Sequence, residues 1–410
     1  MSQEPDGHPV AGHGHSHGHG HGAVPAASRR TRRLVAAVLV PAAVATLVAL
    51  VLLWPGAVAR LPDNTAGQGG QRVFGVVTSV VEQVCPPPAD GAAQGPTGWA
   101  RRCGAGTVMI MEGPRPGEEA EVDLPQGPGA PRLRVGDQVV LLYFAEAAPG
   151  GRAYAVIGHQ RGTPMVWMLA LAVAVVIAFG RWRGVSSLAG LAVSFAVLLL
   201  FVIPAILNGS PPLLVAVVGA AAIMFVALYL THGVTAHTSV AVLGTLASLV
   251  LTGVLGAAFT SLTNLTGVGG EDSSHLATLQ VNVDLRGLLL AGIVIGSLGV
   301  LDDVTVTQAV TVAEMSGSTS LSRLQLYRAA TRVGRAHVAS AVNTIVLAYA
   351  GASLPLLLVI TAGNRGVTEL LTSEFLAQEI LRCAVGTIGL VASVPITTAL
   401  AVLVAQPRPP

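Results

Sequence analysis

The sequence predicts an all-α polytopic membrane bundle of about eight transmembrane helices, carrying a small extracytoplasmic β-barrel domain of OB-like type. Three observations predict it. Of the 410 residues, 52% are hydrophobic and only 11% charged, whereas ordinary globular chains carry roughly 25% charged residues. Several apolar runs reach the roughly 20 residues that cross a hydrocarbon core. Residues 70–160 break this pattern with short β-branched segments between Gly and Pro clusters. Such a balance argues against a soluble enzyme and makes the lipid bilayer the first partner. The net charge of +2 singles out no other, and nucleic acid is not expected. All 23 basic residues are arginine, beside abundant Ala, Val, Gly and Leu. That usage suits a bacterial genome of high GC content, and hence a bacterial plasma membrane.

Residues 1–33 are polar, rich in Gly and His, and then basic, with no apolar period, so they read as a disordered tail. Residues 34–54 form the first apolar helix, behind Arg29-Arg30-Thr31-Arg32-Arg33. A signal peptide would share that basic flank, and Ala57-Val58-Ala59 resembles a cleavage site. The apolar core is longer than the roughly 7–15 residues of a signal, however, so a retained helix is expected. In 70–160, strands are expected at Arg72–Val81, Thr107–Met111, Glu119–Leu124, Asp137–Phe144 and Arg152–Gly158, with a turn at Arg134-Val135-Gly136-Asp137. Five short strands suggest a small barrel. The domain 164–405 is expected to hold seven helices, near 164–180, 185–207, 212–231, 236–260, 287–312, 337–361 and 379–405.

Arginine bias orients the spans. Arg29–Arg33, Arg181 and Arg183, and then Arg323, Arg328, Arg332 and Arg335 fall on one side if all eight runs cross. Both termini are then cytoplasmic and the β domain is external. A Cys85–Cys103 disulfide could persist there, although two lone thiols are the alternative. Neither cysteine belongs to a C-x-x-C metal motif.

Asp302 and Asp303 are adjacent carboxylates inside an apolar segment. The thirteen Leu, Ile and Val residues of 288–312 favour insertion by roughly 4–8 kcal/mol, and two central aspartates at about 2.5–3.5 kcal/mol each cancel most of it. A partner helix, water, a cation or a proton must offset that cost. At 100° per residue, Gly292, Gly296, Asp303, Thr307 and Glu314 fall in one narrow sector. Glycines allow close helix approach, so Gly292 and Gly296 are candidate packing positions. The acidic half, with Asp302, Asp303, Thr307, Gln308 and Glu314, is a candidate path for a proton or hard cation, since oxygen donors suit such ions. A purely structural use of Asp302, capping or bonding a broken helix, is the competing reading. His337, Ser340, Asn343 and Thr344 on the next helix, and His232 and His237 at an earlier turn, could meet this face, though each histidine also suits a plain interfacial position. Adjacent aspartates lack the separate Gly-x-Gly-Asp of intramembrane aspartyl proteases and the spaced companions of prenyl-transfer enzymes. No phosphate loop or serine elbow is present, and no enzyme activity is expected.

His8, His13, His15, His17, His19 and His21 alternate with small residues. Imidazoles on a pliant backbone bind zinc, nickel or copper, so the tail is a candidate zinc or nickel site.

The stretch Gly299-Val300-Leu301-Asp302-Asp303-Val304-Thr305-Val306-Thr307, followed by Glu314, resembles the YibE/F family of bacterial membrane proteins. Members show a Gly-x-x-x-Asp-Val stretch and a Glu eleven residues after the Asp, a register that falls on Asp303 and Glu314. Asp302, Thr305 and Thr307 depart from that pattern, and the His-rich tail is not a family feature. The layout of one N-terminal helix, an external β-rich segment and a seven-helix block is also similar. The resemblance implies a multi-pass membrane protein of poorly defined activity. The expected function is a permease or transporter component coupled to a proton or cation, with an unknown small solute or ion as its cargo. The alternatives are a scaffold or sensor whose external domain takes a protein partner, and a metal-handling protein using its tail.

Overall fold

A computed structural model describes residues 29–56, 71–83, 103–126, 129–145, 152–269, 276, 283–318, 321–362 and 372–405. The His-rich tail, with His8 through His21, and Cys85 lie outside these residues. The chain forms two compact units, one comprising 1–58 with 189–410 and the other 59–188.

In the second unit all five expected strands form: β1 (Gln71–Gln83), β2 (Cys103–Glu112), β3 (Glu119–Asp123), β4 (Gln138–Tyr143) and β5 (Tyr154–His159). They make one antiparallel sheet of order β3-β2-β1-β4-β5. Alternate residues point into a core of Val73, Val77, Val108, Ile110, Val122, Val139, Leu141 and Tyr154. Irregularities in β1 between Phe74 and Gly75 and between Val77 and Ser79 bend the strand, as an extra residue does. The expected closed OB-like barrel is not formed among the described residues. Closure would need β3 to pair with β5, and no ladder joins them. Arg152 instead bridges to Glu121 at 3.0 Å and Asp123 at 3.1 Å. Cys103 is disulfide-bonded and Cys383 is free.

Helix α2 (Gly162–Val197) follows β5, and its geometry breaks at Arg181, with φ 51° and ψ −130°. A Cβ on Gly184 would strike the carbonyl of Val176, so the helix bends sharply there. This is where the sequence places its break between 180 and 185. Beyond α2, a π-helical turn at Leu198–Val202 leads into α3 (Ile203–Leu207).

The other unit contains α1 (Arg29–Leu52), α4 (Pro212–His232), α5 (Ala236–Leu262), α6 (Leu285–Ser318), α7 (Arg323–Ala352), α8 (Leu354–Ala362) and α9 (Glu374–Val404). Six helical stretches among the described residues are long and apolar enough to cross a membrane, and the one spanning Gly162–Leu207 includes the Arg181 break. Helix α7 is not among the six, because arginines interrupt its apolar period. The single helix expected over 337–361 is instead the end of α7, a turn at Ser353, and α8. Pro355, which cannot continue the α7 hydrogen-bond ladder, explains the break. Ser322 and Gln325 form the capping box that starts α7 fourteen residues before the expected start.

The core packs α6 against α4, α5, α7 and α9. Helices α5 and α9 are antiparallel and share a spacing: Gly244-x-x-x-Ser248-x-x-x-Thr252 on one, Gly389-x-x-x-Ser393-x-x-x-Thr397 on the other. A Cβ on Gly244 would collide with Thr397 Oγ1, and one on Gly389 with Thr252 Oγ1. Each threonine therefore seats on the opposite helix's glycine.

Candidate functional site

The sector singled out by helical phasing is the exposed face of α6: Gly292, Gly296, Asp303, Thr307 and Glu314 are all exposed, while Leu301, Val304, Thr305 and Gln308 are buried. The apolar periodicity of α6 turns the other side toward α4, α5 and α9. That leaves Asp303 facing a cavity of about 610 Å³ between α6, α7 and α9. His337, Ser340 and Thr344 from α7, Gly296 and Ser297 from α6, and Arg382 from α9 line it. His337 Nε2 stands 3.8 Å from Asp303 Oδ2, with 75% of the Asp303 side chain exposed. A carboxylate and an imidazole at that separation can share or pass a proton through small movements.

Asp302 has a different environment. It is half-buried, and its Oδ1 is buried without a hydrogen-bond partner. One residue of helix rotation separates the two carboxylates, so they do not work on one surface. The expectation that Gln308 joins the acidic path does not hold. Gln308 is buried and its Nε2 donates to the Ala330 carbonyl at 3.0 Å and Thr398 Oγ1 at 2.7 Å, tying α6 to α7 and α9. Thr305 meets Thr245 of α5 at 2.6 Å. Thr307 accepts Thr311 Oγ1 at its carbonyl. Thr307, Glu314, Asn343 and His232 are exposed but outside the cavity lining, and His237, half-buried, is outside it too.

Close helix packing, expected at Gly292 and Gly296, is absent at the first of them. A Cβ on Gly292 would meet nothing within 4 Å, and one on Gly296 would come to 3.3 Å from Tyr349 Oη. Helix α7 stands away from α6 at Gly292, which borders open space, whereas Tyr349 of α7 comes close over Gly296. The cavity also takes in Tyr349, Gly386 and Arg382, none of which the sequence reading selected. Arg382 was visible as a lone arginine near the start of an apolar run. It pairs with Glu379 at 3.0 Å and leaves its Nε buried without a partner. Among the described residues no group of three or more His, Cys, Asp or Glu side chains could hold a metal ion.

A family model described as YibE/F-like protein matches residues 168–407. The match takes in more than half of the chain, including every residue around the cavity, and leaves α1 and the β domain outside it. No curated protein and no solved structure matches.

Proposed function

We propose a transport function for a chain that, by its match over residues 168–407, belongs to the YibE/F-like protein family and is a multi-pass membrane protein. The reading is a permease or transporter subunit in which Asp303 carries a proton or cation, with His337 as its relay. The observation behind it is the Asp303–His337 approach of 3.8 Å inside a cavity among membrane helices. An exposed carboxylate at that depth is costly against lipid and useful against water or an ion. We count eight crossings by splitting α2 at Arg181 and taking α7, which buries one face with Leu326, Ala330, Gly334 and Val338, as a further span. The ends rich in arginine then lie in the cytoplasm of a bacterial cell. Full-length protein in proteoliposomes tests the coupling: Asp303→Asn is expected to abolish proton-linked flux while the protein still inserts and elutes as the wild type. Wild-type flux in the variant would dismiss the role.

A second reading, a scaffold or sensor, is favoured by Met109 and Met111, which are exposed on β2 beside an otherwise well-packed core. Methionines suit adaptable partner surfaces. Photocrosslinking from position 111 in native membranes would reveal such a partner, and an absence of adducts would count against it. For metal handling by the tail, deletion of residues 8–22 should alter zinc or nickel tolerance.

A further inference from the structure

The cytoplasm-assigned half of α7 carries Arg328, Arg332 and Arg335 at spacings of four and three, hence on one face. All three are exposed and line an open hollow of about 520 Å³ along the surface of α7. Its other polar walls are Gln325, Tyr327 and Thr331, and it has no carboxylate. Among the described residues no acid lies within ion-pair distance of these three arginines. Thr331 Oγ1 is buried and has no hydrogen-bond partner.

The hollow's depth gives this charge its meaning. Gln308 bonds both Ala330 and Thr398, so those three residues share a level. Helix α9 ends six residues past Thr398, at Val404, which is about 9 Å at 1.5 Å per residue. Helix α7 runs the other way. Arg328 therefore lies about 6 Å inside that end of the bundle, Arg332 about 12 Å and Arg335 about 16 Å. On α6 these are the levels of Val310, Val306 and Asp303. An unpaired arginine at a membrane helix centre costs about 2.5–3.5 kcal/mol, a position that Arg335, the deepest of the three, approaches, so the ladder gains from a counter-charge.

We propose that this arginine ladder is a binding site for a phosphate-type oxyanion. Guanidinium forks donate two parallel hydrogen bonds to such a group, and a turn of the Thr331 side chain would bring its unused, buried hydroxyl to it. The same chemistry is available from an inner-leaflet phospholipid headgroup drawn along α7 or from a free oxyanion entering the hollow. The site is independent of the Asp303 reading, because none of its residues touches that cavity.

Full-length protein in phosphatidylcholine nanodiscs tests the proposal. Inorganic phosphate is titrated at constant ionic strength, and separately phosphatidylglycerol replaces part of the lipid, with retained lipid counted by native mass spectrometry and thermal unfolding followed in both arms. Wild type is expected to respond saturably in at least one arm. The R328Q/R332Q/R335Q chain should bind at least tenfold more weakly, and the corresponding triple lysine chain should recover only part of the loss, since lysine keeps charge but not the fork. Saturation by phosphate identifies a free oxyanion, and a response confined to phosphatidylglycerol identifies the headgroup. If the triple glutamine chain does not fold, R332Q alone should weaken binding about threefold. Equal binding by wild type and variants in both arms overturns the site.

Discussion

Asp302 and Asp303 are neighbours in sequence and about 100° apart around α6, and that rotation decides what each can do. Asp303 opens onto the cavity beside His337, whereas Asp302 holds a buried carboxylate oxygen with no donor. A buried unpartnered charge is a cost. Asp302→Asn is therefore expected to leave proton-linked flux in place and to raise stability by about 1 kcal/mol, read as an increase in Tm for the purified protein. Loss of flux with unchanged folding would show that the buried carboxylate takes part. Tyr154 makes a parallel case in the β domain. Its ring packs against Tyr143 at 5.0 Å between centroids, while its hydroxyl is buried and unbonded. Tyr154→Phe should be neutral or stabilising and Tyr154→Ala should cost about 3–5 kcal/mol, measured by denaturant unfolding followed through a near-UV signal. The prominence of Asp303 was legible in the sequence because it needed only the helical repeat and the cost of a charge in hydrocarbon. The clamp made by Gln308 was not, since its partners lie 22 and 90 residues away and no local pattern selects them.

At the scale of elements, α5 and α9 are held by a reciprocal arrangement. Thr397 fills the space over Gly244, Thr252 fills that over Gly389, and Ser248 and Ser393 lie midway in both runs. Small residues let the backbones approach, and without a hydrophobic drive between helices in lipid this contact supplies van der Waals packing. Overpacking such a contact costs about 1–3 kcal/mol, so Gly244→Ala should lower stability by that amount. Thr397→Ala removes the Oγ1 and Cγ2 atoms that the new methyl would meet and keeps the Cβ, and the double variant should lose less than the two single losses combined. A double-mutant cycle on thermal unfolding in detergent measures the difference, and strict additivity would mean that the helices are not in this register. The strands and most helices were legible because periods of 2 and 3.6 are local properties. Where α7 begins and ends was less so: its arginines mask an apolar repeat that only its contacts with α6 and α9 explain, while Pro355 marks a stop that a run of apolar letters conceals.

At the scale of the molecule, the unit formed by 1–58 and 189–410 has chemically unlike ends. Arg32, Arg33, Arg323 and Arg328 belong to the end where α5 begins and α9 finishes, whereas the opposite end has Arg286 in the first turn of α6 and no arginine in the turn Asn208–Pro211. Retention of arginine on the cytoplasmic side orients such a bundle. Helix α5 has 27 residues, about 40 Å of rise, enough to pass through a hydrocarbon core of about 30 Å. Its two ends must then lie on different sides. Val234, just before α5, is 85% exposed, Leu262 at its far end is 75% exposed, and Leu324 is exposed at the start of α7. With Cys383 replaced by Ser, single cysteines at these positions can be challenged with a membrane-impermeant maleimide. Leu262→Cys is expected to label in intact cells, and Val234→Cys and Leu324→Cys only after permeabilisation. Labelling of 234 and 324 together in intact cells would invert the orientation and place the arginine ladder in the outer half of the membrane. Labelling of all three from one side would mean that α5 does not cross, and the eight-crossing count would fall with it.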